Sequence, residues 1–251
     1  GNTITGTLEA GLVTYSANIL IANNKCSGLR NTGTGAFHIY RSQKIQLLNN
    51  EVVSSKNGIL LISSMNNQVK GNRVEGSLYG IAMFRSANNT IEGNTLARND
   101  DNALLLDSEG NLIEKNSFFR KQRQAYDGGG NTWRANYWDD YSGVDRDGDG
   151  VGDASYRIAG TVMDTAPRMA AYAHQPVPVP SLVPAEFREI PSRSFSIRQN
   201  TVWEDCDREL GGEVSIENGA RLTIRNCVVS AAPTSAGLVN RIRIRAGGAL
   251  E

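Results

Sequence analysis

The densest chemistry-bearing stretch of this sequence is Asp145-Arg146-Asp147-Gly148-Asp149-Gly150-Val151-Gly152-Asp153, preceded by Asp139 and Asp140. Carboxylates at alternate positions, Asp145, Asp147 and Asp149, followed by Gly150, fit the opening of a calcium loop. In such a loop the acids converge on one hard cation, and glycine permits the sharp turn. Val151 would add its carbonyl oxygen. The bidentate glutamate usual at the twelfth loop position is absent, since Tyr156 stands there. Asp153, at the ninth, is therefore expected to substitute, with Asp139 or Asp140 reaching in from upstream. Magnesium suits the set less well, because it demands near-ideal octahedral geometry and keeps several waters. The expected cofactor is thus Ca2+, a structural ion that relieves the mutual repulsion of the acids and locks one end of the fold.

A second group could do different work. Arg41, Ser63, Arg85 and Asp107 recur in one sequence column, with Asp100, Asp101 and Asp127 in neighbouring turns. Polysaccharide lyases, hydrolases and epimerases need a charge-neutralising cation, a base and an acid in one groove. Arg85 and Asp107 read more simply as an ion pair, and no histidine joins them in sequence, so no catalytic residue is assigned.

These groups sit on a repeat. Asn50, Asn72, Asn94 and Asn116 are each 22 residues apart, in step with Leu47/Val69/Ile91/Ile113, Val52/Val74/Leu96/Phe118 and Ile59/Ile81/Ala103/Ala125. The apolar residues alternate over short runs broken by Gly, Asn and Ser, which is strand periodicity and not the 3.6-residue stripe of a helix. One such coil cannot bury its apolar face alone, so coils must stack, each strand pairing with its equivalent in the next. The asparagines would then form a buried ladder of side-chain amides. Ile21, Asn24 and Cys26 extend the register by a 26-residue step, and Trp133, Asn136 and Trp138 by a 20-residue step. The pattern predicts a right-handed parallel β-helix over residues 1–169, about six coils and roughly 30 Å long.

Outward positions on the Asn-bearing strands, Gln46, Gln68, Thr90, Glu51, Arg73, Thr95 and Ser117, read as solvated. The other face differs. Its outward columns run His38, Leu60, Ala82, Leu104, Tyr126 and Tyr40, Ile62, Phe84, Leu106. A strand apolar on both faces is usually covered. Tyr40, Leu60, Ile62, Phe84, Leu106 and Tyr126 therefore define a ligand or partner face, with the proline-rich segment, the C-terminal region or another chain as the expected cover. A glycan partner would use its aromatic residues.

Residues 170–192 hold most of the prolines, including Pro176-Val177-Pro178-Val179-Pro180, and read as a linker or extended strap. From 193 to 251 strand patterning returns: Val214-Ser215-Ile216 recurs as Ile242-Arg243-Ile244, 28 residues later, like the start of a second β-helix. The opening Gly1-Asn2-Thr3-Ile4 falls in mid-motif, as though the chain belongs to a larger polypeptide. Lys+Arg and Asp+Glu both total 26, so no net charge draws the chain to nucleic acid or an anionic membrane surface. No apolar run is long enough for a membrane-spanning helix. Three cysteines cannot form a complete disulfide framework; Cys26 occupies the apolar slot of Val52, Val74 and Leu96, while Cys206 and Cys227 could pair in an exported chain.

Asn88-Asn89-Thr90-Ile91-Glu92-Gly93-Asn94-Thr95-Leu96, then Asn131-Thr132-Trp133-Arg134-Ala135-Asn136-Tyr137-Trp138-Asp139-Asp140-Tyr141 and the Asp loop, resemble the NosD-type β-helix proteins. Tyr156-Arg157-Ile158-Ala159-Gly160 and Asp164-Thr165-Ala166-Pro167 resemble the tail that closes such domains. The family takes its name from a periplasmic protein that helps supply copper to nitrous oxide reductase, and the wider group includes carbohydrate-binding and sugar-cleaving β-helices. The resemblance implies an extracellular, cell-surface or periplasmic location and a binding or scaffold role more than any one reaction. Copper itself wants clustered Cys, Met or His, whereas His38, His174, Met65, Met83, Met163 and Met169 form no close motif. The first expectation is thus a non-catalytic structural or interaction β-helix stabilised by calcium. Alternatives are a carbohydrate-binding or polysaccharide-degrading β-helix, and a copper-delivery accessory protein.

Overall fold

A computed structural model describes residues 3–5, 9–29, 35–180, 195–204, 207–210, 213–225, 228–231, 241–244 and 249–250. Among them there are strands and turns but no helix. The strands stack as a parallel β-solenoid in two nine-stranded sheets, one eight-stranded sheet and a further three-stranded sheet. The repeat sets the pairing: Glu51 lies beside Arg73 and Arg73 beside Thr95, one coil apart. The 26- and 20-residue steps hold register too, with Cys26 beside Val52 and Phe118 beside Trp138. Inward residues such as Leu47, Val69, Ile91, Val52, Val74 and Leu96 form one continuous core. Cys26 is part of it, and burial pushes its thiol far above the usual range.

The amide ladder is complete. Nδ2 of Asn24 donates to Oδ1 of Asn50 at 3.0 Å, and the same bond repeats through Asn72, Asn94, Asn116 and Asn136. The backbone N–H of each donates to the same oxygen, and the second amide hydrogen reaches a strand carbonyl, as from Asn94 to Val69 at 2.8 Å. Each buried side chain is thereby saturated on every side. A second ladder runs through Asn67, Asn89, Asn111 and Asn131, and a third joins the hydroxyls of Ser42, Ser64, Ser86 and Ser108 to backbone N–H groups of the preceding coil.

The chain does not climb the rod in simple sequence order. Residues 195–197, 213–216 and 241–244 form successive strands of one sheet, and Ile244 pairs with Val13, so the C-terminal strands stack below the N-terminal coil. The connection back is the proline-rich segment, whose residues 170–180 run as a strap along the outside. The Tyr172 N–H donates to Ser117 Oγ at 3.0 Å, and the Tyr172 hydroxyl to the Ala135 carbonyl at 2.7 Å. Further down, the amide of Asn49 grips Val177 twice, accepting from its N–H and donating to its carbonyl, each at 2.8 Å. Val177 and Val179 then pack on Leu20, Ala22 and Leu48.

That placement corrects two expectations. Thr95 and Ser117 are buried instead of solvated, and for Ser117 the reason is the strap at Tyr172. The strap also does not cover the apolar face at Leu60, because Leu20 and Leu48 on a different sheet supply its seat. Leu60, Ala82 and Leu104 nevertheless become buried by stacking on one another, with Ile62, Tyr79, Phe84 and Leu106 half-buried at the margin. Tyr40 is half-buried and Tyr126 exposed. Cys206 and Cys227 lie outside the described residues.

Replacing Asn94 by Ala strips the acceptor from two donors of Asn72 and the donor from the Val69 carbonyl. At about 1–3 kcal/mol per orphaned buried group, denaturant unfolding should report a loss of about 3 kcal/mol or more; Thr90→Ala on the outer face should stay within about 0.5 kcal/mol. A pH dependence also follows from the surface ion pairs. Burial alone would raise Glu92, but hydrogen bonds from Lys70 and Lys115 outweigh it and hold the carboxyl below its usual range. A lowered folded-state pKa contributes stability above the unfolded value and loses it as pH falls through the folded one. Thermal unfolding should therefore be flat above about pH 5 and fall below about pH 4, and Glu92→Gln should blunt that fall.

Candidate functional site

The last coil is closed by an aromatic stack and by two aspartates that end the amide ladders. Phe118, Trp138 and Tyr156 stack face to face, with ring centroids 4.3 Å apart at each step. Tyr156 belongs to a short antiparallel hairpin, Tyr156–Ala159 with Val162–Asp164, which lies across the rod's end. From this hairpin Asp164, fully buried, accepts from the backbone N–H, the amide of Asn136 and the indole of Trp138 at 2.9–3.0 Å. The second ladder ends the same way: Asp127 accepts from the Asn131 amide at 2.8 Å and the Trp133 indole at 2.7 Å. A terminal amide needs an acceptor that brings no new hydrogen, and a carboxylate is the side chain that supplies one.

The Asp loop is tied to this cap. Val151 bridges to Arg168, which bridges in turn to Tyr137 on the last coil, and the Gly152 N–H donates to the Pro167 carbonyl at 2.8 Å. Oxygens of Asp145, Asp147 and Asp149 all lie within 4.8 Å of one another, the one such group of acids, histidines or cysteines among the described residues. Asp145 accepts from the N–H of Gly150 at 2.8 Å and of Gly148 at 2.7 Å. The Gly150 bond above all holds its carboxyl ionised below the usual carboxylate range. Gly150 has φ +80°, and a Cβ there would sit 3.0 Å from the Arg168 guanidinium.

Other predicted residues go elsewhere. Val151 lies in the loop, its N–H donating to Asp149. Asp153 lies outside that group of three, its carboxylate accepting from the Arg146 N–H at 3.3 Å. Asp139 and Asp140 turn away from the loop towards Arg120 and Gln124, and Asp140 also accepts from the Tyr156 hydroxyl at 3.0 Å. Burial and that charge push the Tyr156 phenol well above its usual range. Both aspartates thus serve the cap, which the loop motif alone does not reveal.

The Arg41–Ser63–Arg85–Asp107 column does not converge. These residues share a left-handed turn with φ of 47–51°. The Arg41 guanidinium is held between the rings of Tyr15 and Tyr40, 5.6 and 5.2 Å from their centroids. Arg85 and Asp107 form no ion pair with each other, contrary to the simplest reading of their spacing. Both side chains are exposed at that turn, where nothing confines one against the other. Nearby acids are already engaged: Asp100 by Lys121, Asp101 by Arg123 and Asp127 by the ladder.

What fold and site define is a capped parallel β-helix with ladder-stapled coils. Residues 1–143, more than half of the chain, match the family described as Periplasmic copper-binding protein (NosD). The chain belongs to that family. No curated protein matches the chain significantly. An extracellular or periplasmic location agrees with the family's description, and no helix among the described residues is long and apolar enough to cross a membrane. The described residues do not fit copper. Soft donors are dispersed: Cys26 and Met83 are core residues, while Met65, Met169 and His174 lie apart at the surface. The carboxylates that do converge are hard oxygen donors.

Gly150→Ala forces a side chain into a left-handed turn and against Arg168. It should cost about 1–2 kcal/mol, seen as a lower unfolding midpoint, while Gly160→Ala, where a Cβ meets nothing, should show only the backbone part of that cost.

Proposed function

We propose that this chain is a non-catalytic structural and interaction rod of an exported protein, clamped at its capped end by a calcium ion on Asp145, Asp147 and Asp149. The convergence of those three carboxylates within 4.8 Å carries the reading. Their mutual repulsion is relieved by a divalent cation that favours oxygen. The Val151 carbonyl and Asp153 complete the ligand set. Because the loop is tied to the last coil through Arg168, an ion there resists fraying of the rod's end. The partner surface is the half-buried margin of the apolar column beside Leu60, namely Ile62, Phe84 and Leu106, flanked by Tyr40 and Tyr126, which suits a protein or glycan.

Family membership favours a second reading, copper handling, and one experiment separates the two. Thermal unfolding of the chelator-stripped chain is followed as calcium chloride is raised to millimolar levels. The midpoint should rise by an amount equivalent to about 2.7 kcal/mol at a hundredfold excess over Kd, and the rise should vanish in Asp145→Asn/Asp149→Asn. A midpoint indifferent to calcium but raised by stoichiometric Cu(I) would replace the calcium clamp with the copper reading.

A further inference from the structure

The strap does more than return the chain to the lower end of the rod. Between its anchors at Tyr172 and Val177 it passes over three coil spacings, from the level of Lys115 down to Asn49. Three coils span about 14 Å, and five residues reach about 17 Å at most, so the strap is drawn nearly straight. Beneath it lies a cavity of about 560 Å³ whose floor includes Gln46, Gln68, Lys70 and Glu92. A second cavity of about 420 Å³ continues from it, sharing Gln46, Gln68 and Pro180 and adding Lys44, Arg221 and Ala249. This second part lies at the seam where the three-stranded C-terminal sheet, ending at Ala249–Leu250, meets the eight-stranded sheet, ending at Leu20–Ala22. Each cavity is of the size of small-ligand sites.

Gly71 shapes this passage. A Cβ there would come 2.6 Å from Asn49 Oδ1, the atom that holds the Val177 N–H, and Gly71 has φ +63°. Gly93, one coil on, is also bare. The strap can therefore lie close without filling the space beneath it.

The charge lining the groove is one-sided. Among the described residues that line it, Lys44, Lys70, Lys115 and Arg221 face a single acid, Glu92, which is shared by Lys70 at 3.0 Å and Lys115 at 3.1 Å. Among the described residues Arg221 Nε meets no hydrogen-bond partner, so none of them spends that donor. We infer that this strapped groove binds an acidic oligosaccharide, its carboxylates met by Lys44, Lys70 and Arg221 and its hydroxyls by the Gln46 and Gln68 amides. The inference deepens the interaction role proposed above and rests on that role being binding, not cleavage.

A peptide is disfavoured by the floor itself. Strands Gln46–Leu48 and Gln68–Lys70 are paired on both sides, so no sheet edge is free to recognise a main chain. Side-chain amides repeating at the coil spacing offer instead the paired donors and acceptors that hydroxyls require. Pro178 supplies apolar surface for the C–H face of a sugar ring.

Calorimetric titration of the full chain with a linear galacturonate hexamer tests this, with the fully methyl-esterified hexamer and hexaglutamate as comparisons. One site per chain is expected, weakened at least tenfold by Lys44→Ala and by Gln68→Ala, both exposed and outside every ladder, with unfolding midpoints unchanged. The neutral ester should bind at least tenfold more weakly, and binding should weaken with salt. Gly71→Ala should alter affinity without touching any charged group. Absence of binding, binding indifferent to both substitutions, or equal binding of hexaglutamate would overturn the inference and leave the scaffold reading intact. Shortened or unsaturated sugar products would instead overturn the non-catalytic reading.

Discussion

A buried asparagine amide carries two donors and an oxygen with two lone pairs, and all must be used where water cannot reach. Stacking identical coils solves this by translation, since each amide finds in the next coil the same groups it offers to the last. Asn24 through Asn136 and Asn67 through Asn131 repeat that solution, each at bond lengths of 2.8–3.0 Å. The ladder fixes coil register, because a shift of one residue would orphan the whole column. It also forces an ending. Both columns close on an aspartate that additionally takes an indole N–H, Trp138 for Asp164 and Trp133 for Asp127. One of these indoles, Trp138, stacks face to face with Phe118 and Tyr156, while Trp133 lies tilted beside it.

From that ending the rest of the molecule takes its layout. Asp164 reaches the ladder only because the Tyr156–Ala159 and Val162–Asp164 hairpin folds across the end, and the Asp loop is the chain that leads from the last coil into this hairpin. Beyond the hairpin, the strap must travel back down the outside, which brings Val177 to Asn49 and the C-terminal strands beneath the first coil. The acidic loop and the strapped groove are thus two consequences of one termination. One gathers carboxylates at the capped end; the other gathers cations along the flank.

Much of this was legible in the residues. The 22-residue spacing, including the 26- and 20-residue steps, gave register to the residue, because an apolar slot and an asparagine recur together. The convergence of Asp145, Asp147 and Asp149 was legible because alternate spacing at a glycine-bearing turn is a local property. What stayed hidden was non-local. Asp164 lies 28 residues beyond Asn136 in a segment without repeat, so the closing-tail motif places it at the end of the domain but no spacing marks it as the ladder's last acceptor. Asp139 and Asp140 match a loop motif but point to Arg120 and Gln124, a choice made by partners on the preceding coil. The strap's seat depends on Leu20 and Leu48, whose outward direction is not distinguishable by type from that of Leu60 and Leu104. Those last two are buried instead within their own column, with Ala82 between them and Ile62, Tyr79, Phe84 and Leu106 at the margin.

The most direct test of the ladder's role is native-state hydrogen exchange of the backbone amides of Asn50, Asn72, Asn94 and Asn116, whose N–H groups donate along the column. If the ladder holds the coils as one unit, these amides exchange only through global unfolding, with a common free energy equal to that from denaturant and a common denaturant slope. Exchange through separate local openings, with free energies well below the global value and differing from coil to coil, would contradict it.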